Sequence, residues 1–542
     1  MYSSKENVNI LTALLVAHGV RHAVVCPGSR NAPIVHDMDA CPLISCYPVT
    51  DERSAGFYAL GLSLSLQQPV AVCVTSGSAL LNLAPAASEA FYQHVLVVFV
   101  SADRPAHQID QLMGQTLPQP DALGRMVRKA VSLPEPKDRA ERAYCIRLLN
   151  EAFVEMRRGE GGPVHINVPV SEPLFSFDVP QLPDVPAIRL HRSGMSLEAN
   201  DFLHELSGAE RLLVCVGYSA DARLRTLMRE EMPFPVLSEV FGAGIAHIDE
   251  MLLRAGEEWN DYRPDTLIYI GGAFVSKRMK AFLQQAEGAR VVLVNADGCV
   301  ADPTMRCSDI VEAPAAGALD CLIELARQRS SSKSYLRKWQ RLAAEVDARI
   351  ASCSPVFSSF AAVKMLGEAA PDEVLHVANS SSVRLALSLH RTPLFVNRGV
   401  NGIEGSLSTA AGYSLAGGRT LCIVGDLSFF YDQNALWNRN LHGNLRILLL
   451  NNSGGSIFRM LPGLEQSPAC EALVMAQHGT DARGICEQNG VNYRCVRCAE
   501  ELPEAIGWLL HADGERPFVL EVQTDAAVDE RVLREFYNHI TR

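Results

Sequence analysis

Short apolar runs recur along the chain, each ending in small or polar residues and each followed by a stretch with helical spacing. In the first part the runs at 22–26, 44–47, 70–75, 95–100 and 164–168 read as strands. Residues 8–19, a stretch opening at Asp51-Glu52 and running to about Leu66, and one reaching Ala90 read as helices. The runs are continuously apolar rather than alternating, which is the pattern of strands buried on both faces. Strand–helix alternation of this kind predicts a doubly wound parallel sheet. A second series has strands at 212–217, 235–237, 267–271 and 291–295, and a third at 374–377, 394–396, 421–424, 447–450 and 519–522. The proline-spaced stretch 180–186 reads as a stiff linker between the first two series. The serine run at 330–334 marks the next boundary, and a charged helix over about 335–350 leads into the third. The expected fold class is therefore α/β, with three doubly wound parallel-sheet domains spanning 1–180, 187–329 and 353–542. No short-period repeat is visible.

Composition narrows the functional classes. Hydrophobic residues make up 48% of the 542 positions and charged residues 20%, the balance of a globular protein. No apolar run approaches the ~20 residues needed to cross a bilayer. The N-terminus enters an amphipathic helix rather than the apolar core of a signal peptide, so the expectation is a cytoplasmic protein without membrane insertion. The net charge is −12 with no basic run, which argues against nucleic acid as a partner. If the substrates are anions, the positive charge that binds them must be local. The 15 cysteines are scattered, as in a reduced protein. Cys495 and Cys498 have CxxC spacing but no second pair, and read as two reduced thiols rather than a zinc site.

Chemistry concentrates where strands end. Gly425-Asp426-Leu427-Ser428 closes one apolar run and Asn451-Asn452-Ser453-Gly454-Gly455 closes the next. Asp426 and Asn452 are hard oxygen donors separated by about one crossover, so their loops are expected to lie side by side and to share one Mg²⁺. Gly454 and Gly455 would let the backbone approach a phosphate, with a following helix N-terminus adding N–H donors. Taken alone, Gly-Asp is also a common helix cap or turn. Glu52 has two readings, a carboxylate favoured by the dipole of a first helical turn and an acid–base group. Arg30, Arg104, Arg384 and Arg398 each follow a strand-like run among small and polar residues. Any one of them could be a surface arginine, but four at strand ends of an acidic protein suggest bidentate carboxylate binding.

Several motifs then match together: Cys26-Pro-Gly-Ser-Arg-Asn-Ala-Pro33, Asp51-Glu-Arg-Ser-Ala-Gly56, Thr75-Ser-Gly-Ser78, Ser101-Ala-Asp-Arg-Pro105, Gly162-Pro-Val-His-Ile-Asn167, Asn379-Ser380 with Arg384, Asn397-Arg-Gly-Val-Asn-Gly-Ile403, and the two strand-end motifs above. Over essentially its whole length the chain resembles the thiamine diphosphate enzymes. Within them it resembles the 2-succinyl-5-enolpyruvyl-6-hydroxy-3-cyclohexene-1-carboxylate synthase (MenD) family of menaquinone biosynthesis. Leu427 narrows the resemblance, because most thiamine diphosphate enzymes have glycine after that aspartate.

The resemblance implies a transferase that decarboxylates 2-oxoglutarate on thiamine diphosphate and adds the succinyl carbanion 1,4 to isochorismate, releasing CO₂. It implies that Glu52, in a buried setting, activates the cofactor through its aminopyrimidine ring. It places Asp426, Asn452 and the Gly454 carbonyl on Mg²⁺, with Mn²⁺ as a substitute. Gly425, Leu427, Ser428, Gly454 and Gly455 would line the cofactor, and Ile403 would prop it. Ser29, Arg30, Arg104 and Gln115 would serve isochorismate, and Ser29, Arg30 and Gln115 are also candidates for catalysis. Ser380, Arg384 and Arg398 would hold the succinyl carboxylate or its neighbours. Lys277 matches a middle-domain lysine on the isochorismate side, although the adjacent Arg278 could take that place. The implied assembly is a homodimer or homotetramer in which Glu52 of one subunit meets Asp426 of another. The polar segment 459–465 departs from a clear pattern, and Arg459 could add a cation there. The alternatives are a 2-oxoacid decarboxylase or acetolactate-synthase-like relative, and a non-catalytic metabolite binder. An NAD enzyme is disfavoured by the lack of a Gly-x-Gly-x-x-Gly turn.

Overall fold

The computed structural model describes residues 1–192, 194–239, 245–328, 333–389, 394–461 and 463–542. Its strands are β1 (His22–Val25), β2 (Ser45–Pro48), β3 (Val70–Val74), β4 (Val97–Asp103), β5 (Lys129–Ser132), β6 (Val164–Pro169), β7 (Leu212–Val216), β8 (Val236–Ser238), β9 (Thr266–Ile270), β10 (Arg290–Asn295), β11 (Asp309–Glu312), β12 (Leu375–Val377), β13 (Leu394–Phe395), β14 (Thr420–Gly425), β15 (Leu445–Asn451), β16 (Asn492–Val496) and β17 (Phe518–Gln523). They form three sheets in the orders β2-β1-β3-β4-β6-β5, β11-β10-β9-β7-β8 and β13-β12-β14-β15-β17-β16. The strand pairings within these sheets are parallel, so the fold is the expected α/β class. The first and third sheets have the same strand order, strand for strand. The expected boundary at 330–334 falls largely on residues 330–332, outside the described residues.

Three strands were not foreseen: β5, β11 and β16. Each is an edge strand, and each carries polar residues and only partial burial. An edge strand has one hydrogen-bonding side and less cover, so it does not need a continuous apolar run. The inner strands β3, β4 and β15 are buried at every position.

The chain divides into two compact units. The first comprises Met1–Arg192, Glu404–Gly418 and Asp432–His442. Within it, helix Glu52–Leu66 crosses helix Ser406–Ser414 almost backbone to backbone. A Cβ on Gly61 would sit 1.9 Å from the Thr409 carbonyl oxygen, and one on Gly412 2.2 Å from that of Tyr58. Only glycine fits either position. The fully buried Asp432 accepts from Ser408 N and Oγ, both at 2.7 Å, and Tyr58 OH donates to Ala435 O at 2.6 Å. These contacts fix the helix that begins at Glu52.

The second unit comprises Ser193–Ile403, Arg419–Tyr431 and Gly443–Arg542. The charged helix expected near 335–350 spans Ser334–Ser352. Its Tyr335, Trp339, Leu342, Val346 and Ile350 form one buried stripe, the pattern of a helix packed on a core by one face. Trp339 is fully buried, with its ring edge-on to Tyr262 at 4.9 Å and to Phe282 at 6.0 Å. No described helix is long and apolar enough to cross a membrane.

Candidate active site

The carboxyl ends of the first sheet gather the residues expected at one substrate. Arg30 follows β1 and is only 6% exposed. Its guanidinium donates to Val170 O at 2.9 Å and pairs with Glu172 at 3.0 Å. Ser29 beside it is exposed. Arg104, after β4, donates through Nε to Gly114 O at 2.9 Å. Gln115 is exposed at φ 55°, with its backbone against Gly77. The loop between Arg104 and Gln119 is thus folded back over the ends of β3 and β4.

A buried polar network holds that loop. Gln119, fully buried, accepts from Gly77 N at 2.7 Å and donates to Ala102 O at 3.0 Å and Asn167 Oδ1 at 2.8 Å. Asn167, on β6, also accepts from Ser101 Oγ at 2.9 Å and donates to Asp103 Oδ2 at 2.9 Å. Ser101 Oγ lies 2.8 Å from His165 Nε2. Burial drives the His165 pKa down to about 4, so this imidazole is neutral near pH 7. Asn167 and His165 lie in a motif carrying the family resemblance, but neither had been given a role. The available signal was two polar residues inside an otherwise apolar strand.

Glu52 is half-buried within the single chain; the buried setting the resemblance implied includes a second subunit. Its Oε2 lies 3.4 Å from Asn82 Nδ2. Capping of this helix belongs to Asp51, which accepts from Arg53 N at 2.9 Å and Ser54 N at 3.3 Å, and from Asn434 Nδ2 at 2.7 Å. Glu52 is therefore not spent on the cap.

The carboxyl ends of β14 and β15 form the second cluster. The two strands pair directly, with Gly425 opposite Leu450, so the two loops are neighbours. Asp426 is 4% exposed. Its Oδ1 accepts from Leu427 N at 2.7 Å, and its Oδ2 from Gly454 N at 2.9 Å and Asn452 N at 3.2 Å. Burial raises its pKa, and these backbone N–H groups oppose that rise. Gly454 sits at φ 147°, and a Cβ there would meet Met475 O at 2.8 Å, so the close turn requires glycine. Ser428 is buried and Leu427 half-buried on the short helix Asp426–Tyr431. The helix expected after Gly455 is a short 3₁₀ helix, Ser456–Met460.

The donor set suits one hard cation bridged to a diphosphate. No group of three or more His, Cys, Asp or Glu with metal-binding spacing occurs among the described residues. Asp426 could supply one carboxylate to such a cation, and Asn452 and Gly454 neutral oxygens, a set that leaves room for phosphate oxygens as Mg²⁺ prefers. The Asn452 amide nitrogen donates to Ser456 Oγ and Asp529 Oδ2, both at 2.8 Å, which leaves its carbonyl oxygen for the cation. Thr480 N donates to His478 Nδ1 at 3.1 Å. That assigns the His478 proton to Nε2, which faces Asp426 Oδ2 at 3.4 Å. Behind this turn, fully buried Glu521 on β17 accepts from Asn451 Nδ2 at 2.6 Å, Tyr493 OH at 2.5 Å and Ala482 N at 3.1 Å. Asp529, His478 and Glu521 had not been anticipated.

The remaining cations also lie in the second unit. Arg384, on helix Ser381–Leu389, lines a small cleft with Glu239, Ser276 and Tyr537. Arg398 donates to Asn379 Oδ1 at 3.2 Å. Ser380 is exposed at φ 69°. Ile403 is 41% exposed, so it is not an ordinary core residue. Arg278 is bound by Asp249 and lies over the Tyr537 ring at 5.3 Å, while Lys277 is exposed. Lys280, one turn further on, is a cation that sequence reasoning missed. Burial lowers its pKa, and Arg398 and Arg384 act in the same direction. Glu239 accepts from Val275 N and Ser276 N, and burial raises its pKa to about 7. Arg459 is paired with Glu471 at 2.8 Å.

Comparison with known proteins bears on this geometry. Residues 6–123 match the thiamine pyrophosphate enzyme N-terminal TPP binding domain, and residues 380–522 the C-terminal TPP binding domain. A protein of Bacteroides thetaiotaomicron, named 2-succinyl-5-enolpyruvyl-6-hydroxy-3-cyclohexene-1-carboxylate synthase, is 41% identical over the full length of both chains. The chain belongs to this synthase family of thiamine diphosphate enzymes. Synthases of the same name from Bacteroides fragilis and Desulfotalea psychrophila are 42% and 35% identical, over 100% and 96% of this chain and 100% and 99% of theirs. The first matched domain ends at residue 123, just after Gln119 and the loop it holds. The second contains both the Asp426 and the Asn452 turns. Likeness over the whole length to synthases of one name disfavours an acetolactate-synthase-like enzyme and a non-catalytic relative.

Proposed function

We propose that the chain forms 2-succinyl-5-enolpyruvyl-6-hydroxy-3-cyclohexene-1-carboxylate from 2-oxoglutarate and isochorismate, with loss of CO₂, in menaquinone biosynthesis. The observation that carries this reading is the full-length likeness to synthases of that name, with the Asp426–Asn452–Gly454 turn intact within it. Thiamine diphosphate, when bound, supplies the electron sink for the decarboxylation.

The chain's own residues divide the remaining work. Asp426, the Asn452 amide oxygen and the Gly454 carbonyl hold Mg²⁺, or Mn²⁺ in its place, against the diphosphate. Gly425, Leu427, Ser428 and Gly455 line that end of the cofactor, and exposed Ile403 props it. Glu52, free of capping duty, holds and moves a proton at the cofactor's ring nitrogen. A carboxylate suits this task once a neighbouring surface excludes water and raises its proton affinity. Its half-burial in one chain supports a homodimer or homotetramer in which a second subunit supplies that cover. Arg384, Arg398 and Ser380 bind the carboxylate of 2-oxoglutarate distant from the reacting carbon. Ser29, Arg30, Arg104 and Gln115 bind isochorismate, and Lys277, exposed on its own unit, is a further substrate-binding cation. Such an enzyme works in the cytoplasm, with proposed domains over 1–180, 187–329 and 353–542.

The test is incubation with 2-oxoglutarate, isochorismate, Mg²⁺ and thiamine diphosphate. Isochorismate absorbance should fall only when 2-oxoglutarate is present. Unchanged isochorismate together with CO₂ release from pyruvate would overturn the reading. Glu52→Gln should still bind thiamine diphosphate by calorimetry but turn over roughly 10²–10⁴-fold more slowly. A near-normal rate would remove Glu52 from its role.

A further inference from the structure

Asn452 can serve a cation only through its amide oxygen, because an amide nitrogen offers no free lone pair. Something must therefore decide which end of the side chain faces the cation. The Asn452 nitrogen lies 2.8 Å from Asp529 Oδ2. Asp529 sits on the C-terminal helix Ala526–Thr541, 77 residues further along the chain. An ionised carboxylate only accepts hydrogen bonds, so it can face the NH₂ end of Asn452 but not the oxygen end. The other Asp529 contacts are the obligate donor Ser359 N at 2.8 Å and the hydroxyls of Ser359 at 2.7 Å and Thr524 at 2.9 Å. They hold the carboxylate in place.

We infer that Asp529 is a positioning residue for the cation site, setting the orientation of the Asn452 amide so that its oxygen faces the metal. This rests on the cation assignment made under the proposed function. Ser456 Oγ, the second partner of the Asn452 nitrogen at 2.8 Å, cannot replace Asp529. A hydroxyl both donates and accepts, and so tolerates either orientation.

The experiment measures Mn²⁺ affinity by electron paramagnetic resonance, on the full chain with thiamine diphosphate present, alongside the melting temperature of each variant. Asp529→Asn leaves the shape nearly unchanged but can present either an acceptor or a donor to Asn452. Its Mn²⁺ affinity should fall by about 10–100-fold, the usual cost of losing an outer partner of a metal ligand. Asp529→Asn combined with Asn452→Asp restores one acceptor-only carboxylate facing one amide. Mn²⁺ affinity should then recover to within a few-fold of wild type. Unchanged affinity in Asp529→Asn would overturn the inference, as would a fall in melting temperature without loss of Mn²⁺ binding. Failure of the exchanged pair to recover would also overturn it. If the wild-type chain itself binds no Mn²⁺ with thiamine diphosphate, the cation reading of the proposed function fails instead.

Discussion

In the first sheet the buried polar hub beside β4 is Asn167 on β6. In the third sheet, with the same strand order, the hub beside β15 is Glu521 on β17. Asn167 both accepts and donates, taking bonds from Ser101 and Gln119 and giving them to Asp103 and Ser132. Glu521 only accepts, and collects Asn451, Tyr493, Ala482 and Gln523. The amide hub can tie a loop of mixed donors and acceptors to the sheet end. The carboxylate hub gathers donors behind the turn that carries Asp426, Asn452 and Gly454. In front of each hub the charge is reversed: Arg30 and Arg104 at the first sheet, Asp426 at the third. One topology thus presents different charged groups at two pairs of neighbouring strand ends, because strand order decides where loops meet and side chains decide their chemistry.

The contrast breaks most visibly at Asp426. Asp426→Ala should weaken cation-supported thiamine diphosphate binding by more than about 100-fold, since it removes a ligand rather than a ligand's support. Calorimetric titration with and without Mg²⁺ checks this, and equal affinities in the two proteins would dissolve the distinction between the sheets. A smaller effect belongs to the amide hub. Asn167→Leu should leave cofactor affinity intact, raise the KM for isochorismate, and cost about 1–3 kcal/mol of stability by leaving buried partners unpaired. Denaturant titration and steady-state kinetics measure both. Weakened cofactor binding with an unchanged isochorismate KM would place the hub at the wrong end. The smallest effect concerns pH. His165 has its pKa lowered from 6.5 to about 4, so the unfolded chain takes up its proton before the folded one does. That contribution to stability is present above pH 6.5 and is lost as the pH falls toward 4. His165→Gln should flatten this acid limb in denaturant titrations at pH 7, 5.5 and 4.5. An unchanged slope would show that the folded ring takes up its proton as readily as the unfolded one.

Much of the fold was legible because inner strands advertise themselves. The runs at 70–75, 95–100, 421–424 and 447–450 are continuously apolar, and they became β3, β4, β14 and β15. The edge strands β5, β11 and β16 were missed because one-sided cover tolerates Lys129, Asp309 and Arg494 in a strand. The site was legible in its motifs and not in its supports. Asp426 and Asn452 announce themselves by position after apolar runs and by their glycine neighbours. Asp529 lies in an ordinary amphipathic helix, and nothing local distinguishes it from Asp525, which caps the same helix. His478 reaches Asp426 only through the fold of the 470–482 segment.

The amino-acid sequence alone determined the class of architecture, the family, and the candidate site residues Glu52, Asp426, Asn452 and the paired glycines. These depend on short-range patterns, apolar runs and strand-end turns, which survive in one dimension. The tertiary structure decided how those residues are held. It gave the cap to Asp51 and so released Glu52. It committed Arg278 to Asp249, left Lys277 exposed, and turned the Asn452 amide nitrogen toward Asp529. The physical reason is that hydrogen-bond orientation and burial are relations between distant segments. They come into being only when the sheets bring strand ends together.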